Sequence, residues 1–266
     1  MATPSPAAPQ GVRPDLDTDA IVILGGFMSS SALYDSMRSA LARFSGQPVF
    51  VVDTRSADWI PSVVPAGWLV LLRMLDDTVR RAMRRTTSRR VTLIGHSAGG
   101  VLGRLYLSPE PFLGQVFRGL DYVGRLITLG SPHYNQRRWI HGGMMARWVN
   151  DRAPGASFAP QVQYCSVAGK LVRGKRQGSL RERHAHRFYE QIEGEGSVWG
   201  DGLVPVASAL LSGSQQVILE GVSHFSGFGG PWYGAEETIP SWWEACGPGD
   251  DGHNISASGG REAVHD

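Results

Sequence analysis

The chain has 266 residues and a mass of 28.8 kDa, enough for one large domain with a full core or for two small ones. Its apolar fraction of 42% is ordinary for a globular protein and excludes disorder of the whole chain. The net charge of +2 implies no polyelectrolyte partner, so we expect no binding to nucleic acid. No apolar run approaches the roughly 18 residues of a membrane-spanning helix.

Short apolar runs alternate along the chain with segments of helical periodicity. Runs of this length suit strands that are buried on both faces of a mostly parallel sheet. The runs are Ile21–Gly26, Val49–Asp53, Val91–Gly95, Arg125–Gly130, Val162–Ala168 and Gln216–Glu220. The alternation predicts a doubly wound α/β domain with helices on both faces of the sheet.

Three helices are predicted between these strands. The first should begin at Ser30 or Ser31 and end at Gly46, with a buried face made of Leu33, Met37, Leu41 and Phe44. The apolar stripe of the second consists of Trp68, Leu72, Leu75, Val79 and Met83. The third should begin at Ala98 and end before Pro109.

We expect one domain over residues 15–246, between a flexible tail at 1–14 and a disordered tail at 247–266. The stretches 133–160 and 171–199 fit the strand–helix pattern poorly and follow strand ends, so they are predicted to form a small cap over a pocket. Apolar side chains there either hold an acyl chain or form the cap's own core: Trp139, Met144, Met145, Trp148 and Phe158.

The cysteines and the N-terminus bear on the compartment. Cys165 and Cys246 form neither a CxxC motif nor a metal-ligand spacing, and the apolar run around Cys165 predicts a buried, unreactive thiol. The first twenty residues lack the apolar core of a secretory signal. We therefore expect a cytoplasmic or plastid protein rather than a secreted one.

The segment Gly95-His96-Ser97-Ala98-Gly99 fits the G-x-S-x-G pattern of a nucleophile elbow. The pattern lies between a predicted buried strand and a predicted helix, where such an elbow belongs. Gly95 and Gly99 lack the Cβ atoms that would collide in so sharp a turn, and the turn would lift the Ser97 hydroxyl above the sheet edge. We predict that Ser97 is a nucleophile; the alternative is a glycine-rich turn with a spare serine.

A nucleophilic serine needs a base and an acid that orients it, and in this fold they follow the serine in the order acid, then histidine. His224 comes just after the last predicted strand and is the predicted base. Asp201, flanked by glycines, is the predicted acid, with Glu220 and Asp53 as alternatives.

The remaining histidines have other predicted roles. His96 is expected to be structural, with its side chain pointing away from Ser97, whereas His133 is a candidate for lining the pocket. No pair of histidines has a metal-ligand spacing with a carboxylate, so we expect no metal and no cofactor.

Acyl transfer also requires donors to the developing oxyanion. The backbone N–H of Ala98, the residue after the nucleophile, should be one donor. The second is predicted to be the N–H of Phe27, in the loop after the first strand, where Gly25 and Gly26 permit close approach of the backbone.

The sequence resembles the lipase-like α/β-hydrolases, especially a group found in cyanobacteria and plants, and more distantly the triacylglycerol lipases and the enzymes of the GPI-inositol-deacylase type. The resemblance is carried by ILGGF (23–27), DW (58–59), LIGHSAGG (93–100), LITLGSPH (126–133), VAGK (167–170), VWGDGLVP (198–205) and LEGVSH (219–224). It implies an α/β-hydrolase fold with a triad of Ser97, Asp201 and His224 and an oxyanion hole at Phe27 and Ala98. One departure is the Gly25-Gly26 pair, where many lipases have His-Gly before the oxyanion residue.

These features together predict a serine carboxylester hydrolase that forms an acyl-enzyme and needs no cofactor. The partner would be a small-molecule ester or a lipid. An acyltransferase, a thioesterase or a GPI-inositol deacylase would use the same triad, and a binding protein without turnover is the alternative from another class. Transient contact with a membrane surface and the oligomeric state are left open by the sequence.

Overall fold

The computed structural model describes residues 18–135 and 143–247. The predictions for the tail at 1–14, for residues 248–266 and for Trp139 lie outside the described residues. The limits predicted for the domain therefore stay a prediction.

The described residues form eight strands and eight α-helices, together with 3-10 helices at Ser31–Tyr34 and Ser56–Val63. The strands are β1 (Thr18–Leu24), β2 (Val49–Val51), β3 (Arg90–His96), β4 (Val123–Leu129), β5 (Gln163–Lys170), β6 (Val172–Arg173), β7 (Trp199–Gly200) and β8 (Gln215–Glu220). The helices are α1 (Asp35–Ser45), α2 (Pro65–Thr86), α3 (Ala98–Tyr106), α4 (Gly119–Tyr122), α5 (Gly143–Arg152), α6 (Leu180–Glu193), α7 (Val206–Ala209) and α8 (Ile239–Cys246). In this part of the chain no helix has both the length and the apolar character needed to cross a bilayer.

Six strands form one sheet in the order β2-β1-β3-β4-β5-β8, and every neighbouring pair is parallel. Each of the apolar runs predicted from the sequence supplies one of these strands. Strands β6 and β7 form a separate antiparallel pair. The predicted fold class, an α/β domain with a mostly parallel central sheet, is confirmed.

The sheet separates two apolar cores because successive side chains of a strand point to opposite faces. In β1, Val22 and Leu24 pack into the core that contains α2 and α3, whereas Ile21 and Ile23 pack into the core that contains α1 and α8. The stripe predicted for the second helix is buried in the first of these cores, with Met83 at its edge.

The predicted buried face of the first helix is partly wrong. Met37 and Leu41 are buried as predicted, but Leu33 is 60% exposed and Phe44 is 49% exposed, and Tyr34 and Ala40 are buried in addition. A 3-10 turn precedes α1, and its three residues per turn shift the phase of the helical pattern. Ser30 makes no capping hydrogen bond, but Gly46 ends the helix with a φ of 68°, as glycine readily does.

The prediction of an unreactive Cys165 thiol is wrong, because Cys165 and Cys246 form a disulfide across 81 residues of sequence. Cys165 lies in β5 and Cys246 ends α8, and their Cα atoms are 5.6 Å apart. Packing of α8 against the edge of the sheet brings the two together, which the spacing in the sequence does not reveal. The bond ties the last described helix to the sheet.

Candidate active site

The predicted site residues lie at one edge of the sheet. Phe27 follows β1, Ser97 follows β3 and His224 follows β8, and the carboxyl ends of parallel strands meet at the same edge. Asp201 follows the short strand β7 and lies over the ends of β4 and β5. A Cβ atom on Gly130, just after β4, would come within 2.7 Å of its Oδ2, and one on Gly169, in β5, within 3.0 Å of its Cβ. The fold thus gathers side chains that are far apart in sequence.

Ser97 has a strained backbone, with φ 54° and ψ −126°, at the junction of β3 and α3. A non-glycine residue rarely adopts a positive φ, and such strain is typical of functional sites. Larger residues are sterically excluded at the two glycines around it. A Cβ on Gly95 would collide with Gly100, and one on Gly99 would collide with the Leu24 and Gly25 carbonyls. The turn presents Ser97 at the start of α3, where backbone N–H groups are free.

Asp201 and His224 are joined by a buried hydrogen bond of 2.8 Å between Nδ1 of the imidazole and Oδ2 of the carboxylate. The His224 backbone N–H also donates to the Asp201 carbonyl, at 3.0 Å. Because an ionised carboxylate can only accept, the ring proton of the neutral imidazole lies on Nδ1. Nε2 of His224 then keeps a lone pair for a proton from another group.

Asp201 is held by more partners than the sequence predicted. Its Oδ1 accepts the N–H groups of Leu203 at 3.0 Å and Val204 at 2.7 Å, and its Oδ2 also accepts the Tyr233 hydroxyl at 2.8 Å. Burial by itself would raise the pKa of Asp201, but the interaction with His224 and the backbone donors outweigh it and lower the pKa. The carboxylate is therefore ionised and fixed.

Tyr233 was missed by the sequence analysis. Its hydroxyl donates to Asp201 and accepts the Gly169 N–H at 2.7 Å, so it links the carboxylate to the end of β5. It lies nine residues after His224 in the segment GGPWYG, which has no helical or strand periodicity. No pattern in the sequence pointed to it.

The two predicted oxyanion donors border the same space. The Gly26 carbonyl accepts from the Ser29 hydroxyl at 2.6 Å and from the Ser29 N–H at 3.1 Å. Across a trans peptide the N–H of the next residue points the opposite way, so the Phe27 N–H is directed away from Ser29. Ala98 is the first residue of α3, where an N–H has no partner within the helix.

Ser97, His224, Phe27 and Ala98 all line one cavity of about 690 Å³, a size typical of small-molecule sites. Within the described residues, no hydrogen bond joins the Ser97 hydroxyl to His224. Such contacts are often long in the unliganded state of an enzyme and shorten when substrate binds. The arrangement therefore contains a serine and a histidine at one cavity, and an aspartate that is hydrogen-bonded to the histidine.

The described lining of the cavity carries no aspartate, glutamate, lysine or arginine. Both predicted cap segments contribute apolar side chains to it: Met144, Met145, Phe188 and Ile192. Trp148 and Phe158 are not part of the lining and pack against the main core instead. The described part of the lining is therefore mostly apolar.

The alternative acids and His133 lie outside the lining of the cavity. Asp53 accepts from the Ser31 hydroxyl at 3.0 Å, and Glu220 pairs with Lys170 at 2.8 Å, so neither orients His224. His133 is fully buried, bonds to Thr128 and does not line the cavity, whereas His184 does. His96 is buried and bonds to Tyr34 and to the His224 carbonyl, but it also lines the cavity with Ser97, and its ring centroid lies 4.8 Å from that of His224. Across residues 18–135 and 143–247, no group of three potential ligands could hold a metal ion.

No protein-family model matches the sequence, and no curated protein matches it. Among solved structures, the chain is similar to the lin2722 gene product of Listeria innocua, with 15% identity over 86% of this chain and 93% of that one and a TM-score of 0.49. An alpha-beta serine hydrolase homologue from Coxiella burnetii shares 14% identity over 80% of this chain and 81% of that one, with a TM-score of 0.42. Lipase B of Aspergillus fumigatus shares 8% identity over 79% of this chain and 47% of that one, with a TM-score of 0.43. Similarities at 8–15% identity do not identify site residues in this chain.

Proposed function

We propose that this protein is a serine carboxylester hydrolase with Ser97 as nucleophile, His224 as general base and Asp201 as the residue that orients the base. The observation that carries the proposal is the buried Asp201–His224 pair at 2.8 Å, beside a cavity that His224 shares with a serine in a strained strand-to-helix turn. An oriented imidazole and an exposed hydroxyl are the two parts that nucleophilic catalysis by serine requires.

In the first half of the reaction, the Ser97 oxygen attacks the ester carbonyl carbon while its proton passes to Nε2 of His224. The negative charge that develops on the carbonyl oxygen accepts hydrogen bonds from the N–H groups of Phe27 and Ala98. When the tetrahedral intermediate collapses, the C–O bond to the alcohol breaks and His224 returns the proton to the leaving oxygen. An acyl group remains on Ser97.

In the second half, water replaces the alcohol. His224 takes a proton from the water as its oxygen attacks the acyl carbon, and then gives that proton back to the Ser97 oxygen as the acid leaves. Asp201 keeps the same ring nitrogen protonated throughout and stabilises the imidazolium that forms in each half. The cycle consumes one water and needs no cofactor.

The lining of the cavity supports an uncharged ester with an apolar acyl chain as the substrate. The described lining contains no aspartate, glutamate, lysine or arginine to offset the lost hydration of an anionic or cationic head group. Nitrophenyl esters of graded acyl length are suitable probes. We expect the best kcat/KM with an acyl chain that fills the cavity, because each buried methylene contributes about 0.8 kcal/mol.

Replacement of Ser97 by alanine tests the proposal. We expect Ser97→Ala to abolish both ester hydrolysis and covalent labelling by a fluorophosphonate, since the attacking oxygen is gone. The matched control is Ser39→Ala, which removes an exposed hydroxyl on the outer side of α1 and should keep both activities. Hydrolysis or labelling that persists in Ser97→Ala would contradict the assignment of the nucleophile.

Related reactions would use the same triad. An acyltransferase, a thioesterase or a GPI-inositol deacylase differs in the acceptor or in the bond that is broken. Product analysis with an alcohol competing against water separates transfer from hydrolysis. A binding protein without turnover would show no burst of product and no labelling of Ser97.

Two further parts of the proposal concern the surroundings of the protein. Apolar side chains at the cavity are strongly exposed, including Phe27 at 52%, Leu33 at 60% and Val63 at 68%, which supports transient contact with a membrane surface.

The disulfide between Cys165 and Cys246 weighs against the cytoplasmic compartment expected from the N-terminus, because disulfides are rare in reducing compartments.

A further inference from the structure

A chain of hydrogen bonds runs through the buried side of the candidate site. The Tyr34 hydroxyl lies 3.0 Å from the Gly26 backbone nitrogen and 2.7 Å from Nδ1 of His96. Nε2 of His96 lies 3.0 Å from the backbone carbonyl oxygen of His224. Tyr34 and His96 are both buried. The chain connects the loop after β1, the end of β3 and the loop after β8, which are the three segments around Ser97.

The protons of this chain can be assigned. The His224 carbonyl can only accept, so Nε2 of His96 carries a proton and donates it. Burial, followed by the charge of His224, lowers the pKa of His96 to about 3, so the ring is neutral and Nδ1 has a free lone pair. Tyr34 must then donate its one proton to Nδ1 and accept from the Gly26 N–H. Ser29 lies farther away, 3.4 Å from the Tyr34 hydroxyl.

All the bonds therefore point in one direction, from Gly26 through Tyr34 and His96 to His224. Hydrogen bonds aligned in this way polarise and strengthen one another. Reversal of the Tyr34–His96 bond would require a second proton on the ring of His96. Reversal of the His96–His224 bond would require a proton on a carbonyl, and the Gly26 nitrogen can only donate. The chain has one low-energy arrangement and so specifies one relative position of its ends.

Both ends of the chain are next to the proposed chemistry. At one end, Gly26 packs so tightly against Ser97 that a Cβ atom would come within 2.7 Å of the serine Cβ, and the following residue supplies the Phe27 N–H. At the other end, the carbonyl belongs to His224, whose side chain is the proposed base. An error of about 1 Å in the placement of such groups can lower a rate about a hundredfold.

We propose that Tyr34 and His96 are positioning residues that hold the Gly26–Phe27 backbone and the His224 backbone at a fixed separation on the two sides of Ser97. They act through Gly26 and His224 and take no part in bond making. This inference rests on the proposed function. Its rival is a packing role alone, because the His96 ring also contacts His224 at 4.8 Å, Trp232 at 5.8 Å and Tyr233 at 6.0 Å between centroids.

Three substitutions separate positioning from packing. Tyr34→Phe keeps the ring and removes both hydrogen bonds of the hydroxyl. At position 96 the two amides divide the histidine's roles: the amide of His96→Asn lies near the position of Nδ1 and can accept from Tyr34, whereas His96→Gln places its NH₂ near Nε2 and can donate to the His224 carbonyl. Tyr106→Phe is the matched control, since it removes an equally buried hydroxyl, bonded to Asp76 at 2.8 Å, on the other face of the sheet.

We expect Tyr34→Phe and His96→Asn to lower kcat for p-nitrophenyl butyrate about 10–100-fold, with KM changed by less than about threefold, because orientation rather than binding is lost. His96→Gln keeps the bond to the His224 carbonyl but loses the bond to Tyr34, so it also breaks the chain and should lower kcat by a similar factor. The double variant Tyr34→Phe/His96→Asn should be little worse than either single variant, because both break the same chain. Tyr106→Phe should lower the melting temperature and leave kcat within about twofold.

The proposal is overturned if folded Tyr34→Phe and His96→Asn keep kcat within about twofold, or if Tyr106→Phe loses as much as they do. It is also overturned if ring ¹⁵N shifts of the wild-type protein at pH 7 show the proton of His96 on Nδ1, a readout that requires neither activity nor a variant. A wild type that neither hydrolyses esters nor reacts with a fluorophosphonate would instead contradict the proposed function. If His96 were still protonated on Nε2 in that case, the assigned direction of the hydrogen bonds would remain correct, but the two residues would have no catalytic role to support.

Discussion

Tyr233 shows how a single side chain can fix a carboxylate. Its hydroxyl donates to Asp201 and accepts the Gly169 N–H, and both bonds are buried. Tyr233→Phe would leave that N–H without its acceptor and Asp201 with one donor fewer. We expect the free energy of unfolding to fall by about 1–3 kcal/mol. We expect kcat to fall about tenfold, since His224 is oriented less firmly.

Urea unfolding and steady-state kinetics measure the two effects of Tyr233→Phe. The matched variant is Tyr189→Phe, because the Tyr189 hydroxyl accepts the neighbouring Gly202 N–H at 2.8 Å but does not touch the carboxylate. It should lose similar stability and much less of kcat. Equal losses of kcat in the two variants would show that the bond to Asp201 has no special role.

At the scale of secondary-structure elements, α8 is held to the sheet by the Cys165–Cys246 disulfide. A cross-link over a long stretch of chain restricts the unfolded state, so Cys165→Ala/Cys246→Ala should lower the free energy of unfolding by about 2–4 kcal/mol. Denaturation of the wild type with and without dithiothreitol measures the same effect. The double variant should show no response to the reductant, and a wild type that shows none either would contradict the cross-link.

The elements also show what the sequence can predict. All the strands of the main sheet were predicted because strands buried on both faces are continuous apolar runs, and the elbow was predicted because its small residues obey a local steric rule. The buried face of the first helix was mispredicted at Leu33, because Leu33 lies in a 3-10 turn that shifts the phase, and at Phe44 in the last turn of α1. Asp201 was chosen for its flanking glycines and His224 for its place after the last predicted strand, and their catalytic roles stay predictions.

Contacts that depend on tertiary packing had no local signal. The disulfide joins residues in β5 and α8, and Tyr233 reaches Asp201 from a loop without periodicity. The bonds of His96 to Tyr34 and to the His224 carbonyl bridge 62 and 128 residues of sequence. Such pairs become visible only when the strands are assembled in their spatial order.

At the scale of the whole molecule, buried histidines make stability depend on pH. Burial lowers the pKa of His96 to about 3 and that of His133 well below its ordinary value of 6.5. Below pH 6.5 the unfolded chain binds a proton at each of these residues and the folded chain does not. Stability is therefore greatest above that pH and falls as the pH drops.

The free energy of unfolding should decrease by about 1.4 kcal/mol per pH unit for each of the two histidines between pH 6 and 5. Urea titrations across this range provide the measurement. His133→Gln removes one of the two protons and should reduce the slope by about half. A flat profile in the wild type would show that these histidines are protonated in the folded state.

At the same scale, we propose that Ser97 acts as a nucleophile because His224, oriented by Asp201, accepts its proton. The most direct measurement is peptide mass spectrometry of the wild-type protein after reaction with a fluorophosphonate, with His224→Ala treated in parallel. We expect a stoichiometric adduct on the peptide that contains Ser97 and a labelling rate at least about a hundredfold lower in His224→Ala. An adduct on another residue, or equal labelling of the two proteins, would contradict it.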